Sequence, residues 1–217
     1  MNDNQNKKLA TTALLCAMAY LVMLAVRIPV VLFLKYEPKD VIITLGGFIF
    51  GPLTSITISF IVSVLEMLTV SDTGVIGLIM NILASCSFAC TAAVIYKKWH
   101  TAKGALLGLA AGTVVLTVTM LMWNYVFLPI FMGFPRVEVA KLLFPAILPF
   151  NILKGALNTA LIILLYKHVV TAMRHSGLIA ESTAQPAASR GKSGLLAVAA
   201  LLLITCVLVI LSMKGIL

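Results

Sequence analysis

Long apolar runs constrain this chain more than any other feature. Residues 9–26, 74–96, 105–132, 142–167 and 195–213 are almost free of charge. Each reaches or exceeds the roughly 18 residues that suggest a membrane span. Apolar residues make up 61% of the 217-residue chain and charged residues 11%. Soluble domains run about 45–50% apolar and about 25% charged. The expected fold class is therefore an all-α, polytopic integral membrane protein.

The first run follows Lys7 and Lys8, as the core of a signal peptide would. It is longer than the usual apolar core of about 7–15 residues, and no A-x-A site follows. A retained first helix with a cytoplasmic N-terminus is expected. The net charge of +9 reflects loop lysines and arginines that set orientation. Cys16, Cys86, Cys90 and Cys206 all lie inside apolar runs. No His or Cys partners accompany them at metal-site spacing, so they read as small buried hydrophobes.

The stretch DVIITLGGFIFGPLTSITISFIVSVLEMLT, residues 40–69, is long enough to be one kinked span or a helical hairpin turning at Gly51-Pro52. Charge separates the two. With the N-terminus inside, a single crossing puts the basic loop YKKWHTAK (96–103) outside. A hairpin puts it inside, together with Arg174, Arg190 and Lys192. The positive-inside tendency favours the hairpin, and Gly followed by Pro suits a helix stop and restart. Its first arm, 40–50, is only about 16 Å long and needs shelter by protein. The expected organisation is a six-helix core over 1–174, a Ser/Ala/Gly-rich linker over 175–194, and an additional C-terminal transmembrane helix within 195–217.

Asn81, Asn124 and Asn151 each fall about 10–12 Å below the outer ends of their helices. Lys154 lies one turn deeper, on a face shared with Asn151 and Asn158. An intramembrane Asn is often interhelical glue. A lysine at such depth usually faces a cavity or an ionic partner. Glu66, near the outer end of its helix, is the candidate partner. Glu37, Lys39 and Asp40 are placed in the outer loop before the second helix. Carboxamides offer a donor and an acceptor side by side and suit an imide edge on a planar ring. Trp123, Tyr125, Phe127 and Phe150 could stack on such a ring, but helical spacing cannot bring all four together. An interfacial aromatic belt explains Tyr125 and Phe127 equally well.

On LKYEPKDVIITLGGFIFGP (34–52), MNILASCSF (80–88), WNYVFLP (123–129) and LPFNILKG (148–155), the chain resembles the riboflavin-specific S components of energy-coupling factor (ECF) vitamin transporters. The resemblance implies a vitamin site near the outer face, partly closed by the first outer loop. It implies riboflavin as transported ligand rather than cofactor, and Asn124, Asn151 and Lys154 as flavin contacts. Asp40 and Glu37 would belong to the capping loop. Asn81 matches a family Asn that is either ligand or structural. Ala13 and Ala17 match the small-xxx-small face that docks on a transmembrane coupling subunit, which works with two ATP-binding subunits. Core packing is the equal alternative for that pair. The seventh helix and Lys39 depart from the family pattern.

Other readings are an S component for another vitamin or flavin, and a stand-alone secondary transporter, for which no inverted repeat is present. His100, His168 and His175 fall toward the cytoplasmic side, and no H-E-x-x-H or G-x-S-x-G occurs, so no enzyme is expected. Binding of nucleic acid or metal is not expected either.

Overall fold

The computed structural model describes residues 3–32, 34–133, 135–175 and 192–213. Helices dominate. They are α1 (Asp3–Ala25), α2 (Lys39–Phe50), α3 (Pro52–Thr69), α4 (Gly74–Lys98), α5 (Ala102–Met132), α6 (Arg136–Leu142), α7 (Leu148–His175) and α8 (Lys192–Met213). A π-helical turn, Leu143–Ile147, joins α6 to α7. Among the described residues, five helical segments are long and apolar enough to cross a membrane, and a shorter apolar stretch, Leu196–Ser212, follows in α8.

Gly51 splits the ambiguous stretch into a hairpin, as its sequence suggests. Its φ of 95° is a conformation that side chains avoid. Its N–H caps Gly47 O at 2.8 Å, and Pro52 opens α3 at a position where no N–H is needed. The short arm α2 spans about 18 Å. It is sheltered: every residue from Lys39 to Phe48 is buried among α1, α3, α4 and α7. A helix apolar nearly all round belongs inside a bundle, and α2 is the central strut of this one.

The most extensive helix–helix contact is between α4 and α5. A Cβ on Gly108 would meet Ala92 O at 2.8 Å, and one on Gly112 would meet Phe88 O at 2.6 Å. Ala89, Ala92 and Ala93 are fully buried along α4. Lipid gives apolar helices little reason to leave it for one another, so such close backbone approach supplies the van der Waals contact that holds them.

Two differences from the sequence reading bear on function. First, the segment after α1 is not a plain loop. Ile28–Val31 (β1) and Leu34–Tyr36 (β2) pair antiparallel, so the helical class carries a small two-stranded sheet. Second, Lys39 and Asp40 do not lie in that loop; they form the first turn of α2 and are 1% and 0% exposed. The predicted last core helix, 142–167, is α7 continued to His175 and preceded by the π-turn and α6. Most of the predicted linker, residues 176–191, lies outside the described residues.

Candidate functional site

At the end of the bundle where α1, α3 and α5 finish and α4 and α7 begin, a cavity of about 170 Å³ opens. Four helices and the hairpin build it. Helix α4 contributes Met80 and Asn81; α5 contributes Trp123, Asn124 and Phe127; α7 contributes Phe150, Asn151 and Lys154. Glu66 comes from α3. Leu34, Lys35 and Glu37 come from β2 and the residues after it, so the hairpin, here termed the lid, forms part of the wall.

The polar layer inferred from helix depth is thus one surface: Asn81, Asn124, Asn151 and Lys154 line the same cup. Among the described residues, the amides at 124 and 151 do not bridge helices. Each donates from Nδ2 to the carbonyl one turn back, Asn124 to Met120 O at 2.7 Å and Asn151 to Ile147 O at 2.8 Å. Asn81 makes no side-chain hydrogen bond to the protein among the described residues. The glue role falls instead to Asn158. It receives the Tyr36 hydroxyl at 2.9 Å on Oδ1 and reaches Asp40 Oδ2 at 3.5 Å from Nδ2. Of the four aromatic candidates, three line the cup. Trp123 and Phe127, one turn apart, stack at 3.9 Å, while Tyr125 points away and is 45% exposed.

Lys154 has an ionic partner, but not Glu66. Its Nζ lies 2.9 Å from Asp40 Oδ2. Asp40 also accepts from Ser85 and does not line the cup; it sits beneath the floor and fixes the ammonium above it. Glu66 is taken by Lys39 and by Arg27 Nη2 at 3.1 Å. Arg27 also bonds Glu37 through Nε at 2.6 Å and Val70 O through Nη1 at 2.9 Å, and Lys39 reaches Glu37 at 3.0 Å. This latch ties the lid to the end of α3. Burial works against charge on Arg27, yet the bond and charge of Glu37, helped by Glu66 and Asp72, raise its pKa. Burial likewise opposes ionisation of Glu37, but Lys39 and Arg27 hold it below its ordinary value. Burial, then the Asp40 charge, pushes the Tyr36 phenol up, so it stays a neutral donor.

The core ions therefore cancel. Arg27, Lys39 and Lys154 face Glu37, Asp40 and Glu66, each engaged within the protein. The surfaces left for a ligand include amide groups, remaining ammonium hydrogens and aromatic faces, together with Lys35, Ser71, Asp72 and Thr73. Sequence reasoning missed Arg27, Tyr36 and Ser85. The first two belong to the hairpin region, and Ser85 carries no sequence signal that sets it apart from other small helix residues. Ala13 and Ala17 lie on α1, both exposed.

Residues 7–166 match the family described as ECF transporter, substrate-specific component. The chain belongs to that family. This S component is 32% identical over 184 residues to the riboflavin transporter RibU of Staphylococcus aureus, covering 80% of this chain and 96% of that one. It is 32% identical over 172 residues to the riboflavin transporter FmnP of Bacillus subtilis, with coverage of 74% and 90%. A solved structure, described as the S component of a bacterial ECF transporter, superposes with a TM-score of 0.67 at 32% identity. That match covers 78% of this chain and 99% of the other. The S component is accordingly a multi-pass membrane protein that associates with an ECF module, and it is not an enzyme. Helix α8 lies beyond the matched family region.

Proposed function

We propose that this S component binds riboflavin in the cup and presents it for uptake through an ATP-driven coupling module. The observation that carries the reading is the convergence of three unbridged carboxamides, a fixed lysine and a stacked aromatic pair on one charge-balanced cavity. The riboflavin transporters among its relatives support the choice of ligand. A flavin ring matches these groups. Its imide N–H can donate to an Asn oxygen, its flanking carbonyls can accept from Lys154 or Asn81, and its faces can lie on Trp123 or Phe150. The ribityl hydroxyls suit the polar rim near the lid. A ring without the imide edge would leave buried polar groups unpaired, at about 1–3 kcal/mol each.

In this reading Asn81, Asn124, Asn151 and Lys154 touch the flavin, Glu37 acts from the latched lid, and Asp40 positions Lys154. The cup faces outward. Lys97, Lys98, Lys103 and Lys167 gather at the opposite end with Lys7 and Lys8, which supports a cytoplasmic N-terminus by the positive-inside tendency. The exposed Ala13 and Ala17 face is where a transmembrane coupling subunit would pack, backed by two ATP-binding subunits.

The test is a titration of ligand-free protein in detergent with riboflavin, read by quenching of flavin fluorescence. Saturation near one flavin per chain, without competition from thiamine or biotin, is expected. No saturable binding by demonstrably folded protein would reject riboflavin as the ligand.

A further inference from the structure

The added helix α8 has one buried stripe. Ala199, Cys206 and Ile210 are 0%, 4% and 8% exposed, whereas Leu201 and Leu208 on its other side are 65% and 49% exposed. The stripe packs on α7, and α8 also reaches β1. Cys206 and Ile210 lie about 21–27 Å along the axis from Lys192, which brings them to the cup end. There they share a buried apolar cluster with Val30, Leu34 and Tyr36 of the lid and with Leu153 and Leu157 of α7.

An isolated two-stranded hairpin is marginally stable and needs a packing surface. On the α3 side this lid is held by the ionic latch of Arg27, Glu37, Lys39 and Glu66. Its apolar residues need a wall, and α8 completes that wall. We propose that α8 is a brace for the lid: Cys206 and Ile210 are positioning residues that hold the β1–β2 hairpin over the cup and slow ligand escape. The family match ends at residue 166, so the brace is an addition to the core. The hold on the hairpin follows from the packing alone, while its effect on ligand escape rests on the riboflavin reading.

The experiment is amide hydrogen exchange of the full chain in detergent, without ligand, comparing wild type with the double variant Cys206→Ala, Ile210→Ala and the lipid-face control Leu208→Ala. Exchange reads local opening directly. Exchange across 28–36 should rise several-fold in the double variant, stay at wild-type level in the control, and leave 84–93 of α4 unchanged. The riboflavin off-rate should rise in parallel. Unchanged lid exchange, or an equal rise in lid and α4, would overturn the brace. If the double variant does not fold, Ile210→Val removes a single methylene group, and the same contrast between lid and α4 applies. The exchange result is independent of flavin, so a failed riboflavin titration would leave it standing.

Discussion

The two ends of this bundle are held together by different physics. At the cup end, six ionisable side chains and several amides converge under a small hairpin. At the other end, Phe48, Tyr96 and Tyr166 surround a second cavity of about 210 Å³, and Phe48 and Tyr96 sit 4.5 Å apart. Among the described residues, that cavity has Tyr and His at its edges but no converging carboxamides. The middle of the bundle, between these ends, is closed by glycine and alanine contacts between α4 and α5. Buried charge is costly in a membrane and persists where it is paired or functional. The cup end carries that cost, and the rest of the bundle is held by packing with neutral hydrogen bonds, such as that between the Tyr96 and Tyr166 hydroxyls at 3.1 Å.

The contrast sorts substitutions by which property they damage. The largest effect is expected from Asp40→Ala, which strands the Lys154 ammonium without its counter-ion, beside only the neutral Ser85 and Asn158. Breaking one side of a buried pair costs about 3–5 kcal/mol. Thermal unfolding in detergent should show a sharply less stable protein that has also lost flavin affinity. A stable, binding-competent variant would mean that Lys154 finds a partner without Asp40. Gly112→Val comes next. It drives side-chain atoms against the Phe88 carbonyl and should destabilise by about 1–3 kcal/mol as overpacking does. The folded fraction should keep its riboflavin Kd, because the site does not include this contact.

Asn151→Ala is expected to do the reverse. Losing one amide contact should weaken riboflavin by about 1–3 kcal/mol while the melting temperature stays near wild type. If stability falls and affinity does not, the side chain is structural and the cup assignment of α7 fails. The smallest effect is in pH. Glu37 has a folded pKa below its unfolded value near 4.3. Its contribution to the latch is therefore complete above that value and is lost as pH falls through the lower, folded one. Riboflavin off-rates should be flat from neutral pH down to the ordinary carboxylate range and increase only below it. An increase already between pH 7 and 6 would implicate another group.

Much of the candidate site's geometry was legible because helix geometry is regular. Counting residues inward from helix ends placed Asn81, Asn124 and Asn151 at one level, and one cavity holds all three. The break at Gly51-Pro52 was legible because both residues act locally on the backbone. Pairing was not legible. Glu66 and Lys154 suit each other by depth, yet Lys39, hidden at the start of α2, takes Glu66 and leaves Asp40 to Lys154. Which charges meet depends on the rotation of packed helices, which apolar periodicity cannot supply when α2 is buried on every side. The hairpin was missed because Ile28–Tyr36 offers no glycine turn; Leu32 takes the positive φ of 50° itself. Without a turn residue, two short strands look like an apolar loop.

The account rests on the cup being the flavin site, and a structure of the protein determined with riboflavin bound addresses that directly. The ring is predicted between the Trp123–Phe127 stack and α7, with its imide edge toward Asn124 and Asn151 and Lys154 still paired to Asp40. A flavin lodged instead among Phe48, Tyr96 and Tyr166, with the cup empty, would contradict it.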